Sequence, residues 1–375
     1  MLNVLLTAVV SFMITLVALP AIIRVADEKK LFDLPDERKL HTKTIASLGG
    51  VGIFLGFFIS TLLLISNKDI PFQYFFASAL VIFFLGLKDD ILIISATKKF
   101  LGQLLATSIL VHLAHIRIDS MHGFLGVYQL PEMASIFLSY ITIIVIINAF
   151  NLIDGVDGLA GCLGVVATSV FGIYFFMADL MAYSMLSFAM TASLIAFLYF
   201  NYHPARIFMG DSGSLLLGMV NAILVIKFIS AADAKGVILP LTSSVALGFS
   251  ILIVPLLDTL RVFSIRIYNG RSPFSPDRNH IHHLLLDRGL NHSKVTLTCV
   301  GLNIIFIAMA FMARPIGSTI LLGSMILAWF AFIGAIFYLW KPVPQLVVVQ
   351  KDTEQKLQSS TKVVSIANEA AVAGQ

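Results

Sequence analysis

The residues best suited to chemistry in this chain are acids, amides and histidines placed where long apolar runs end. Gly86-Leu87-Lys88-Asp89-Asp90 closes one such run with two adjacent carboxylates. Neighbouring carboxylates repel each other, and a divalent cation or a basic substrate group beside them relieves that repulsion. The plain alternative is a helix end in water. In Asn148-Ala-Phe-Asn151-Leu-Ile-Asp154-Gly155-Val-Asp157-Gly158, polar side chains recur at three-residue steps. On a continuing helix they would share a face, while the glycines favour a break that brings backbone close to a ligand. The segment lacks the alternating oxygens and closing glutamate of a calcium loop.

Asn201-Tyr-His203-Pro-Ala-Arg206-Ile-Phe-Met-Gly210-Asp211-Ser212-Gly213-Ser214 places a carboxylate between glycines at the start of an apolar helix. That pattern suits a metal–phosphate contact at exposed N–H groups, against the simpler reading of a helix cap. The loop Arg271-Ser-Pro-Phe-Ser-Pro-Asp277-Arg278-Asn279-His280-Ile-His282-His283 carries three histidines. No cysteine or glutamate is spaced to complete a tetrahedral zinc site there. With Arg271 and Arg278 nearby, the histidines read better as phosphate ligands. A fifth stretch, Asp33-Leu-Pro35-Asp36-Glu37-Arg38-Lys39-Leu-His41, reads by itself as a mixed-charge solvated loop.

The elements that position these residues are membrane helices. The chain is 58% hydrophobic and 12% charged, with a mean hydropathy of +0.94. A water-facing surface needs far more charge. Runs long enough to cross a hydrocarbon core of about 30 Å lie near 2–23, 46–65, 71–88, 100–116, 132–150, 159–177, 182–200, 213–229, 237–260, 295–312 and 318–340. The expected fold is therefore all-α: a polytopic integral membrane protein of about eleven transmembrane helices. Ten is the rival count, if 159–177 and 182–200 form one bent element. The first run is too long for a signal-peptide core and lacks a small-residue cleavage pattern.

Taking the 24–45 loop as cytoplasmic puts twenty of the twenty-five Lys and Arg on one side. This bias predicts an external N-terminus and a cytoplasmic C-terminus. Residues 1–340 are expected to form a single membrane domain, and 341–375 a polar, disordered cytoplasmic tail. Cys162 and Cys299 lie in apolar runs and imply no disulfide framework. On this map Asp89, Asp90, Asp154, Asp157 and Asp211 fall at cytoplasmic ends of runs, with Asp258 near the same level and the histidine loop after it. A transporter would place ionisable residues along a path near the midplane. A structural scaffold would leave the one-sided cluster without a purpose.

Together these motifs resemble the polyprenyl-phosphate N-acetylhexosamine-1-phosphate transferases, and most of all the branch acting on UDP-GlcNAc and undecaprenyl phosphate. The resemblance runs from about Arg24 to Leu290 and keeps the family's order: D-x-P-x-x-R-K-x-H, the Asp89-Asp90 pair, Asn-x-x-Asn-x-x-Asp-Gly-x-Asp-Gly, F-M-G-D-x-G-S and the histidine loop. The related transferase of peptidoglycan synthesis usually has three contiguous histidines, where this chain has His280-Ile-His282-His283 after Pro276-Asp277-Arg278. Asn201-Tyr-His-Pro-Ala is closer to that peptidoglycan enzyme.

The resemblance implies a Mg²⁺- or Mn²⁺-dependent reaction at the cytoplasmic face of the bacterial inner membrane. UDP-GlcNAc would give UMP and undecaprenyl-diphosphate-GlcNAc, the first unit of an O-antigen, a common antigen or a teichoic acid. Another UDP-N-acetylhexosamine, or the phospho-MurNAc-pentapeptide donor, is the alternative within the family. The implied partners are the two substrates and membrane lipid, with no nucleic acid, and a homodimer is an admissible assembly. Asp211 is the first choice of metal ligand, with Asp89 and Asp90 next, and Asp89 is the family's assigned base. Asn151, Asp154 and Asp157 would orient the nucleotide sugar or the metal's waters, and Asn201 joins the substrate-binding set. Arg271, Arg278, His282, His283 and most directly His280 would hold phosphates. Lys39 and Lys43 would draw in the lipid phosphate.

Overall fold

A computed structural model of the chain describes residues 1–29, 45–66, 72–232, 241–272 and 278–341. Met1–Lys341 form one compact unit. The loop with Lys39 and Lys43, and the tail from 342 on, lie outside the described residues. Among those described, the secondary structure is helical apart from one isolated bridge between Ser120 and Gln129.

The helices are α1 (Leu2–Lys29), α2 (Gly49–Leu64), α3 (Phe72–Ile91), α4 (Ala96–Ser108), α5 (Glu132–Ile153), α6 (Leu159–Met177), α7 (Met181–Asn201), α8 (Gly210–Ala232), α9 (Ser244–Ile251), α10 (Ile253–Tyr268), α11 (Ile281–Leu286), α12 (His292–Ala313) and α13 (Ser318–Leu339). A π-helical turn, Ile109–Leu113, extends α4. Over the described residues, each apolar run of the sequence overlaps one or two of these helices. Among the described residues, seven helices are long and apolar enough to cross a membrane, or eight if α9 and α10 count as one broken span. The chain is thus a multi-pass membrane protein. The runs 159–177 and 182–200 are two separate helices, α6 and α7, packed on each other.

The 237–260 run is not one continuous helix as the sequence suggests. It breaks at Leu252, where α9 and α10 meet at an 83° bend. Asn303 of α12 satisfies the break: its Nδ2 donates to the Ile251 carbonyl at 3.1 Å and its Oδ1 accepts from the Val254 N–H at 3.3 Å. A buried backbone break needs such partners because no water is at hand.

Burial follows lipid logic rather than water logic. On α1 the exposed positions include Leu5, Val9, Met13 and Val17, whereas Thr7, Ser11 and Thr15 face inward. The Ser11 hydroxyl donates to the Ala189 carbonyl of α7 at 2.7 Å, and Thr15 to the Gly52 carbonyl of α2 at 3.3 Å. Small polar residues inside and apolar residues outside are the pattern of helices packed in a bilayer. At the centre stands α8, 89% buried over its most apolar window, against 22% for α1 and 33% for α13. It packs on α3, α5, α2, α6 and α9. The residues at its first turn are therefore placed by several other helices at once.

Candidate active site

The first turn of α8 is anchored before it begins. Residues 46–50 lie alongside 208–209: the Phe208 N–H donates to the Ala46 carbonyl at 2.9 Å, Gly49 N–H to the Phe208 carbonyl at 2.9 Å, and Gly50 N–H to the Met209 carbonyl at 2.8 Å. Gly210 enters the helix with φ +70°, and a Cβ there would lie 2.2 Å from the Ser47 carbonyl oxygen. Only glycine fits both constraints. Asp90 then caps the helix. Its Oδ1 accepts from the Asp211 N–H at 2.6 Å and its Oδ2 from the Ser212 N–H at 3.0 Å. A carboxylate suits the positive end of a helix dipole.

Asp211, released from the capping task, faces a cluster drawn from three other helices. Asn151 Nδ2 donates to Asp211 Oδ1 at 2.7 Å and to the Ser214 hydroxyl at 2.9 Å. The Lys99 ammonium of α4 donates to Asp211 Oδ2 and to Asn151 Oδ1, the latter at 3.2 Å. It also pairs with Asp89 Oδ2 at 3.2 Å. Asp89 is held from its other side by the Ile94 N–H, which donates to Oδ1 at 2.9 Å. A cavity of about 220 Å³ opens beside this cluster, with Asp89, Lys99, Gln103, Asn148 and Asn151 in its wall. Gln103 and Asn148 are joined amide to amide, Asn148 Nδ2 to Gln103 Oε1 at 2.9 Å.

The donor set suits a hard divalent cation. Asp89, Asp211 and the Asn151 carbonyl converge on one positive charge, and all three offer oxygen, as Mg²⁺ requires. Asp90 has both its oxygens committed to backbone N–H groups. The expected metal set of Asp211, Asp89 and Asp90 is thus divided between two positions. Lys99 was not singled out in the sequence, where it counts as one of two adjacent lysines in the Lys/Arg bias.

Beyond α5 the chain turns through Asp154 and Asp157. Burial first, then the carboxylates of Asp211, Asp90 and Asp157, push the pKa of Asp154 well above the usual carboxylate range. Asp154 therefore lies within electrostatic reach of Asp211, Asp90 and Asp157. Gly155 presses on the histidine loop, since a Cβ there would come within 2.4 Å of His282 Nε2. Asn201 uses both ends of its amide on the protein: Oδ1 accepts from the Gly158 N–H at 2.9 Å and Nδ2 donates to the Ile207 carbonyl at 2.8 Å. Asp157 is buried and faces His203 and His292.

The histidine loop is organised by a buried acid on α10. Asp258 Oδ2 lies 2.9 Å from His280 Nδ1, while its Oδ1 accepts from the Ile281 N–H at 2.9 Å and from Arg261 Nη2 at 3.0 Å. Arg261 also donates to the Asn279 carbonyl. Arg266 Nη2 lies 3.3 Å from His280 Nε2. An arginine can only donate, so Nε2 accepts and the ring proton sits on Nδ1, facing Asp258. His280 and His282 are buried, at 4% and 2% exposure. Burial and then the charge of His283 keep the pKa of His282 well below the histidine range. His283 is lowered by burial and then by Arg278. Arg278 is exposed and pairs with Asp287 at 3.5 Å, and Arg271 is exposed. The structure therefore brings together Asp89, Lys99, Asn151 and Asp211, with Asp90 and Asp154 adjoining, and sets His282 against the Asp154 loop.

A glycosyl transferase family 4 model matches residues 72–229, the stretch holding the Asp89–Lys99–Asn151–Asp211 cluster. A probable undecaprenyl-phosphate N-acetylglucosaminyl 1-phosphate transferase of Bacillus subtilis (strain 168) is 32% identical over 309 residues, covering 82% of this chain and 84% of the relative. The chain belongs to glycosyl transferase family 4. Its similarity extends to an undecaprenyl-phosphate alpha-N-acetylglucosaminyl 1-phosphate transferase of Pasteurella multocida, 35% identical over 78% of this chain and 82% of that one. A protein of the same description from Haemophilus influenzae is 33% identical over 71% and 75%.

Proposed function

We propose that this transferase moves GlcNAc-1-phosphate from UDP-GlcNAc to undecaprenyl phosphate at the cytoplasmic face of the bacterial inner membrane. A phosphate oxygen of the lipid forms a bond to the β-phosphorus of the donor. The bond from that phosphorus to the bridging oxygen breaks, and UMP leaves with the electron pair. The product is undecaprenyl-diphosphate-GlcNAc, the starting unit of a cell-envelope glycan. The observation that carries this reading is the convergence of Asp89, Asn151 and Asp211 on a single cation beside a cavity, in a chain similar to proteins named for this reaction.

A phosphate monoester has a second pKa of about 6, so the acceptor is mostly a dianion at neutral pH. The obstacle is charge, because a dianion must approach a diphosphate. Mg²⁺ or Mn²⁺, held by Asp211 and Asp89 with the Asn151 carbonyl, would offset that charge and stabilise departing UMP. Lys99 adds a fixed positive charge at the same place. Asp90 holds the α8 N-terminus, and with it Asp211, in position. Asp154 and Asp157 shape the loop that receives the donor, with Asn201 bracing it. The Asp258–His280 pair sets the histidine loop over Gly155, and the exposed Arg271 and Arg278 supply donors for phosphate, with His283 at their side. Lys39 and Lys43 would collect the lipid phosphate at the membrane surface. In this proposal eleven spans carry the chain from an external N-terminus to a cytoplasmic C-terminus.

The test is a reconstituted assay with detergent-solubilised protein, undecaprenyl phosphate, Mg²⁺ and a panel of UDP-sugars. UMP release is expected with UDP-GlcNAc in preference to UDP-GalNAc and UDP-MurNAc-pentapeptide. Preference for either of the others would move the enzyme to another branch. A transporter would release no UMP from any of them.

A further inference from the structure

A second cluster of ligand-type side chains lies on the other side of the Asp154 loop. Asp157 comes from the α5–α6 connection, His203 from the loop after α7, and His292 is the first residue of α12. His203 Nδ1 is 2.8 Å from Asp157 Oδ2, and His292 Nδ1 is 3.3 Å from Asp157 Oδ1. One ligand atom from each residue can be chosen so that all lie within 4.8 Å of one another. The two imidazole rings are 5.1 Å apart. An ion bound at about 2.1 Å from each of its ligands holds them roughly 3 to 3.5 Å apart, so both measured separations need little adjustment. Asp157 is buried, His292 half-buried and His203 exposed, so solvent reaches the cluster at His203.

We propose that Asp157, His203 and His292 form a divalent-cation site of transition-metal type, separate from the all-oxygen site of Asp89, Asn151 and Asp211. Two nitrogens and one carboxylate favour Zn²⁺, Co²⁺ or Ni²⁺ over Mg²⁺. Three protein ligands leave positions for water. The carbonyl oxygen of Asp157 already accepts from the Thr296 hydroxyl of α12 at 2.9 Å, and the Ala205 N–H reaches Asp157 Oδ2 at 3.3 Å. An ion there would tie the same three segments more firmly. Its effect would be to fix the loop that carries Asp154 and Gly155 between α12 and the loop before α8.

The test uses the full chain in detergent with Mg²⁺ in excess and Co²⁺ as the probe. One Co²⁺ per chain is expected, with visible d–d absorption. His203→Ala and His292→Ala should each weaken binding by about a hundredfold or more. His203 is exposed, so its replacement leaves packing intact. His203→Cys should restore a bound ion and add a thiolate-to-cobalt charge-transfer band in the near ultraviolet. Absence of Co²⁺ binding under excess Mg²⁺ would overturn the proposal and leave the cluster as hydrogen bonds alone. So would binding unchanged in both alanine variants, which would place the ion elsewhere, for instance on the histidines at 280–283. A bound Co²⁺ without the charge-transfer band in His203→Cys would likewise remove residue 203 from the ligand set.

Discussion

The Nδ1 of His280 lies 2.9 Å from Oδ2 of Asp258, and both side chains are buried. The two residues are twenty-two positions apart, one on α10 and one just before α11, so this pair ties the histidine loop to the broken span. Because Arg266 faces the other ring nitrogen, Asp258 controls which way the imidazole points and which nitrogen carries its proton. His280→Ala should lower turnover by about a hundredfold, equivalent to ~2.7 kcal/mol on the barrier. Asp258→Asn should cost a comparable factor. The double variant should be little worse than either single one, because residues acting as a unit are not additive. Independent, multiplying losses in the double-mutant cycle would separate the two roles.

Lys99 bridges Asp89, Asn151 and Asp211. Lys99→Met removes the cation but leaves the oxygens. Turnover should fall by about a hundredfold or more, while Mn²⁺ binding measured by electron paramagnetic resonance should be no weaker than in the parent. Weaker Mn²⁺ binding would mean that Lys99 organises the oxygen set and adds no charge to the phosphates.

Gly155 leaves no room for a side chain against His282. Gly155→Ala should force the α5–α6 loop and the histidine loop apart. We expect at least a tenfold loss of turnover in the folded protein, about 1.4 kcal/mol. A large drop in midpoint with kcat preserved in the surviving protein would make the contact structural only.

The site loops are expected on one side of the membrane. Single cysteines introduced near Lys98, Gly155, Arg206 and Arg278 should resist an impermeant thiol reagent in intact cells and react after permeabilisation. Labelling of any one in intact cells would require a different span arrangement.

Much of this was legible in the sequence because membrane burial leaves so few polar residues to account for. Asp89, Asn151 and Asp211 stand out where apolar runs end or begin, and the 213–229 run already marks α8 as an apolar helix opening just after Asp211. Lys99 did not stand out, because a lysine beside another lysine looks like membrane-surface charge. Only the packing of α4 against α3 and α5 turns it toward the acids. The break at Leu252 is hidden in an unbroken apolar run, with Pro255 three residues later as its one local signal. Its repair by Asn303 comes from a helix some fifty residues away. The division of labour between Asp89 and Asp90 was equally hidden. Adjacent acids on a helix point in different directions, and only the position of α8 decides which one caps and which faces Lys99.

The proposed function turns on Asp211, whose carboxylate would hold the divalent cation that offsets phosphate charge. Its most direct test is UMP release from UDP-GlcNAc by purified Asp211→Asn, with undecaprenyl phosphate and Mg²⁺ present. The amide keeps the shape and the hydrogen bond to Asn151 but loses the charge. Turnover should drop below about a hundredth of the parent rate, with folding and membrane insertion unchanged. Retention of more than about a tenth, a loss of only ~1.4 kcal/mol, would contradict the assignment.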